Sequence, residues 1–171
     1  MACALTQGYS LGCRDGVGGI KSVYFIEFDN VSGITESSGN ATAIAKANGG
    51  RFYKYNLQRA TGSWEETYND DEANGTSFHT QTLSIVLNKM TAAVSQEIKL
   101  LAQNRLIAVV ENKDGTYWLL GDESGLQRNG GRAGSGTATG DRNGYELTFT
   151  AENVDPALTV SSGIIAALTT P

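Results

Sequence analysis

Residues 77–88 carry the cleanest period in the chain. His79, Gln81, Leu83, Ile85 and Leu87 fall on one face of a period-two pattern, and Phe78, Thr80, Thr82, Ser84 and Val86 on the other. Side chains of a strand alternate between its two faces, so this stretch predicts a strand. Its first face turns apolar only in the second half, as in a strand that runs from a wet edge into a core. Residues 145–150 (YELTFT) repeat the pattern, with Tyr145, Leu147 and Phe149 expected inward. Residues 105–111 (RLIAVVE) form an almost continuous apolar run and predict a central strand. Residues 22–28, 51–58 and 116–120 are rich in β-branched and aromatic side chains and read as strands too. Residues 64–68 are expected to pair with 51–58 across the turn at 60–63.

The period switches after residue 88. Met90, Val94, Ile98 and Leu101 recur at helical spacing, with Ala93 and Ala102 beside them, while Gln96, Glu97, Lys99 and Gln103 fall elsewhere. This predicts one amphipathic helix over 90–104, with Thr91 as its N-cap. Its single apolar stripe must lie on a sheet face or on a neighbouring subunit. A short helix over 41–47 is expected before the stop signal Gly49-Gly50. The apolar stretch 162–168 is expected to add a strand or dock elsewhere. Lys113-Asp114-Gly115 and Asn74-Gly75 supply turn chemistry.

Glycine alters this picture, with 21 glycines against 2 prolines in 171 residues. Segment 121–144 is glycine-rich, its charges (Asp122, Glu123, Arg128, Arg132, Asp141, Arg142) balance, and Leu126 is its only large apolar side chain. Such a loop cannot bury enough surface alone to offset its ordering entropy. It is expected either to stay mobile or to become ordered against another copy of the chain. Residues 1–21 read as an extended, glycine-dotted arm with the same expectation. The chain is therefore expected to be a single mainly-β domain. Its architecture is a β-sandwich or barrel with one helix at about 90–104 and long glycine-rich loops. A domain of this length can bury a core without a metal or disulfide staple.

Composition then removes most chemistry. With a net charge of −5 and 18% charged residues, specific nucleic-acid binding is not expected, because phosphate contacts need clustered Lys and Arg. No apolar run is long enough to span a membrane, and residues 1–10 lack the basic and apolar regions of a secretory signal. Cys3 and Cys13 are expected to stay reduced rather than pair, and without a nearby His they do not read as zinc ligands. The sequons at Asn30, Asn40 and Asn74 read as chance. His79 is the only histidine, and no nucleophile–base spacing surrounds it, so it reads as an edge histidine. Asp70, Asp71 and Glu72 lack the liganding pattern of a calcium loop and read as a solvated turn. Residues 16–21 (GVGGIK) and 134–140 (GSGTATG) fall short of the phosphate-loop and dinucleotide patterns. No catalytic residue, cofactor or metal is assigned, and the chain is not expected to be an enzyme.

An extended arm, hairpins, one amphipathic helix between strands, a long loop and a closing strand follow one another along the chain. This order resembles the tail tube proteins of tailed bacteriophages and related injection machines. Residues 140–152 (GDRNGYELTFTAE) are similar to the final strand region of phage virion structural proteins. The resemblance implies a subunit that forms hexameric or stacked rings. Strands of neighbouring copies would join into one inner barrel, in a virion assembled in the host cytoplasm. Its partners would be further copies and other virion proteins, with DNA only as passing cargo and no membrane. An acidic lumen would repel phosphates and let DNA slide; Glu27, Asp29, Glu65 and Glu66 are the candidate lumen residues. Segments 1–21 and 121–144 would carry contacts between subunits or rings, and helix 90–104 would pack outside the sheet. Two other readings share the composition: a head decoration or fibre-associated protein, and a monomeric carbohydrate-binding sandwich. The latter would stack sugars on Trp64, Trp118, Tyr53, Tyr55 and Tyr117, although aromatic residues at strand positions more often pack in cores.

Overall fold

A computed structural model describes residues 8–10, 12–13 and 16–170. Among them, strands run in chain order as β1 (Ile20–Glu27), β2 (Val31–Ser37), β3 (Asn40–Lys46), β4 (Tyr53–Asn56), β5 (Gly62–Asp71) and β6 (Thr76–Asn88). Helix α1 (Ala92–Gln103) follows. Then come β7 (Leu106–Asn112), β8 (Tyr117–Leu120), β9 (Gln127–Gly134), β10 (Gly144–Asn153), β11 (Leu158–Val160) and a single helical turn, α2 (Ile165–Leu168). The fold is mainly β, in two sheets. One has seven strands in the order β2-β3-β11-β8-β7-β1-β4, and the other has four in the order β5-β6-β10-β9.

The alternating strands supply the four-stranded sheet. Leu83 and Ile85 of β6, with Tyr145, Leu147 and Phe149 of β10, point into the space between the sheets. There they meet Val23 and Phe25 of β1 and Ala108 and Val110 of β7. The Phe25 and Phe149 rings lie 5.4 Å apart across this core. The continuous apolar runs supply the centre of the seven-stranded sheet, which is buried on both faces. Tyr24, Ile26, Ile107, Val109 and Leu119 form its second face and cluster with Ala41 and Ile44 of β3, with Phe52, and with Ile165 and Leu168 of α2.

Helix α1 starts one residue after its cap: the Thr91 hydroxyl accepts a hydrogen bond from the Val94 amide at 3.2 Å. It buries Ile98 and Leu101 and half-buries Val94, whereas Met90 lies outside the helix and is exposed. Two expected turns form as read. Gly75 has φ +64°, and the Asp71 carboxylate accepts from the Ala73 and Asn74 amides. Gly115 has φ +85°, and Asp114 accepts from the Thr116 amide.

Three local expectations are corrected. Residues 41–47 are not helical: they fall in β3, a hairpin partner of β2 that also pairs with β11, and ladder pairing overrides their helix propensity. Residues 64–68 do not pair with 51–58. β4 pairs with β1, while β5 crosses to the other sheet and pairs with β6, and the corner is made at Ala60 with φ +60°. Segment 121–144 is not loop throughout, because it contains β9, which pairs with β10. Its one large apolar side chain, Leu126, is fully buried and exchanges two backbone hydrogen bonds with Leu106. Residues 162–168, expected to add a strand or dock elsewhere, do the latter: they form helical turns that bury Ile165 and Leu168 on the seven-stranded sheet. Of the expected arm, residues 1–7, including Cys3, lie outside the described residues. Cys13 is exposed. No helix among the described residues is long and apolar enough to cross a membrane.

Candidate assembly surface

The outward face of the four-stranded sheet is a lattice of hydroxyls and carboxylates. Its cross-strand rows read Thr148–Ser84–Ser63, Thr150–Thr82–Glu65 and Glu152–Thr80–Thr67. Val86, beside Glu146, and Phe78, nearer the start of β6 and exposed, are large apolar side chains on this face. The alternation that buries Leu83, Leu147 and Phe149 forces these neighbours outward.

Among the described residues, both outer strands of this sheet, β5 and β9, have a partner on one side only. β9 (QRNGGRAG) is exposed at every residue. It holds its place by backbone pairing and by one carboxylate. Glu146 accepts from Arg132 at 2.6 and 3.0 Å and from Arg142 at 2.7 Å. The two guanidiniums hold the Glu146 carboxyl below the usual range, Arg132 foremost. Gly131 is required here, since a Cβ would stand 2.8 Å from the Glu146 carbonyl oxygen. The two edges differ in charge. β9 carries Arg128 and Arg132 and no carboxylate, whereas β5 (GSWEETYNDD) carries Glu65, Glu66, Asp70 and Asp71 and no cation.

The four candidate lumen residues separate. Glu65 lies on the outward face of the four-stranded sheet. Glu66 points inward, accepting from the buried Gln81 side chain at 3.2 Å and from the Ala157 amide at 2.8 Å. Glu27 and Asp29 lie at and just after the end of β1, a strand of the other sheet.

The residues weighed for chemistry do not converge. Asp70 accepts from Ser77, Asp71 caps its own turn, and no group of three or more His, Cys, Asp or Glu among the described residues could hold a metal. Residues 16–18 are exposed coil ahead of β1. In 134–140, the Asp141 carboxylate occupies the amides of Thr137 and Ala138 at 2.8 Å each. Trp64 and Trp118 pack on each other at the margin of the inter-sheet core, ring centroids 5.2 Å apart, and Trp64 donates to Asn112. They do not make an open platform with Tyr53, which stands exposed on β4. His79 stacks edge-on against Tyr68 at 4.9 Å, and its Nδ1 is buried without a partner.

Compared with known families, curated proteins and solved structures, the chain matches none.

Two ionic features were missed in the sequence. Glu111 is 4% exposed at the end of β7. Burial pushes its carboxyl up, but the Lys21 ammonium at 2.5 Å and the Ser22 hydroxyl at 2.5 Å outweigh burial and leave it below the usual range. A carboxylate closing an apolar run in a central strand needs a cation beside it, so the signal was there. Asp122 lies at the seam where β8 ends. It accepts from Asn153 at 2.7 Å, and burial raises its carboxyl to about 6, with Glu123 and Asp155 adding to the rise.

Proposed function

We propose that the chain is a self-assembling structural subunit of a phage-like virion, a tail tube or neck ring protein. Its four-stranded sheets join edge to edge around a channel through which DNA passes. The observation that carries this reading is the opposite charge on the two free edges of that sheet, acidic β5 and basic β9.

Three antiparallel pairings separate β5 from β9, so these edges run in opposite directions. Set beside β5 of the next copy, β9 continues an antiparallel ladder without either copy turning over. A head-to-tail contact of this kind closes into a ring when the rotation allows. The sandwich core already occupies the inner face, so the hydroxyl and carboxylate face lines the channel. Glu65 and Glu152 on that face disfavour adhesion of DNA phosphates, whereas Glu146 is already offset by Arg132 and Arg142.

The test is a charge swap read by sedimentation and electron microscopy. Wild type is expected as rings or tubes far heavier than 18.1 kDa. Arg132→Glu and Glu65→Lys, both on the outward face, should each weaken assembly at least about tenfold, since like charges then meet across the joint. Combining the two should restore it. A wild type that stays monomeric at high concentration overturns the reading, and a discrete trimer favours a head decoration protein instead.

A further inference from the structure

The two ends of the four-stranded sheet differ. At one end β6, β10 and β9 finish on a single rung, where Asn88 faces Gly144 and Gly144 faces Gly134. The corner at 57–61 and the loop at 135–143 close this end. They are tied to it by a hydrogen bond from the Asn88 side-chain amide to Gln58 at 2.6 Å and one from the Lys89 backbone amide to the Asn143 carbonyl at 2.7 Å. Exposed Arg59, Lys89, Arg132 and Arg142 stand here against two carboxylates, Asp141 and Glu146. Asp141 is occupied by the amides of its own loop. Glu146 takes only Nε and Nη2 of Arg132 and Nη1 of Arg142, so each guanidinium keeps donors for a second carboxylate. A polar hollow of about 430 Å³ lies beside them.

At the other end the hairpin of β5 and β6 outruns its neighbour. β10 stops at Asn153, opposite His79, so the rungs Asn69–Phe78, Asp70–Ser77 and Asp71–Thr76 form a two-stranded tip about 10 Å long. A ribbon of two strands is marginal in water by itself. Tyr68 and Phe78 stand on opposite faces at its base, 64% and 38% exposed. Asp70, Asp71 and Glu72 give the tip three carboxylates and no cation. Behind it Glu123, Glu152 and Asp155 outnumber Arg128, which stands near the start of β9.

We propose that the basic end is a docking surface for the β5–β6 tip of a second copy set in line with the first. The inference rests on the assembly reading above and adds a second direction to it. The tip cannot reach the basic end of its own chain, which lies the length of β6 away, about 40 Å. Joining β9 to β5 leaves every copy the same way up, so all tips lie on one rim of a ring and all basic ends on the other. A lateral neighbour therefore holds its basic end at the wrong level, and only a copy in the next ring presents it. Acidic rim meets basic rim while like rims repel, so rings add in one polarity. The next copy also supplies the cover that the two-stranded tip lacks in the monomer.

Two charge-reversed variants make the test. Glu72→Lys alters the tip, and Arg59→Glu with Lys89→Glu alters the basic end; none of these residues lies in β5 or β9. Electron microscopy and sedimentation of each variant alone should show rings of wild-type mass and at least about tenfold fewer stacked tubes. Mixed in equal amounts, the two variants should recover tubes, because the altered tip fits the altered end and the native tip fits the native end. Tubes of wild-type length from either variant alone overturn the inference, as does a mixture that gives rings without tubes. Loss of rings from a variant that keeps its native circular dichroism puts these charges in the lateral joint and overturns it too. Should a reversal unfold the chain, Glu72→Gln and Arg59→Gln carry the same comparison, with shorter tubes expected and unchanged tubes overturning it. Wild-type rings that never stack overturn the inference and leave the assembly reading standing. Wild type that stays monomeric overturns both.

Discussion

The two sheets of this protein answer to different demands. The seven-stranded sheet is covered twice, by the other sheet and by α2 with Phe52, so β1 and β7 are buried almost end to end. The four-stranded sheet is covered once, and β6 and β10 alternate buried and open positions. The first sheet is where stability resides. The second leaves a whole polar face and two edges without use inside the monomer. A sheet so arranged costs the monomer stability it could have gained from a second layer, which makes sense when the missing layer is solvent in a channel and the missing strands belong to other copies.

Substitution should expose this difference first as a large gap in stability. Leu119 is fully buried on the second face of the seven-stranded sheet, and Leu119→Ala should lower unfolding free energy by about 3 kcal/mol through lost burial and a residual cavity. Thr82→Ala, at the matching depth of the polar face, should change it by less than about 0.5 kcal/mol. Urea unfolding midpoints measure both, and similar losses at the two sites would erase the contrast. In assembled material the order should reverse for ring formation, with the polar face and edges the sensitive side.

Next in size is Glu111, the acid held inside the doubly covered sheet. Glu111→Ala leaves the Ser22 hydroxyl and the Lys21 and Lys54 ammoniums without their acceptor, and should lower stability by about 2 kcal/mol at pH 7, since both lysines stay partly solvated. The wild-type carboxyl lies below its ordinary value when folded. Its contribution is therefore complete above the ordinary carboxylate range and falls away as pH drops through the lowered folded value. A variant whose deficit persists unchanged to pH 2.5 would show that packing rather than charge is what Glu111 supplies.

The two sheets were also unequally legible. Strict alternation placed Leu83, Ile85, Leu147 and Phe149 inward and their neighbours outward, because a strand covered on one face writes its orientation into the sequence. The run at 105–111 announced a central strand but not its two different coverings. The β3 residues Ala41 and Ile44 read as helix because alanine favours one, and only their long-range pairing to β11 and β2 decides otherwise. β9 was unreadable for a plainer reason: with no buried side chain it carries no periodic signal, and it exists because β10 offers an edge. The candidate surface was legible only in part. Glu65 was named as facing a channel, but Glu66 beside it turns inward, and the charge contrast between β5 and β9 appears only once both strands are known to be outermost.

The smallest effect concerns Asp122, at the seam between the sheets, and it has the opposite sign. Glu111 is buried beside cations, whereas Asp122 is half-buried beside Glu123 and Asp155, with Asn153 as its side-chain donor. Its carboxyl is raised to about 6 in the folded chain, so between the ordinary carboxylate value and that point the folded state binds more protons than the unfolded one. Stability must therefore fall as pH rises from about 4 to about 6 and level off beyond. Asp122→Asn keeps a carbonyl for the Asn153 amide and removes the charge. After allowance for partial solvation, it should stabilise the protein by about 1 kcal/mol at pH 7 and by nothing at pH 4. Urea midpoints at the two pH values measure the difference. Loss at both would mean that the carboxyl, neutral or charged, holds the 121–125 turn against β10, and that the acid seam is a clasp between the sheets rather than a strain on them.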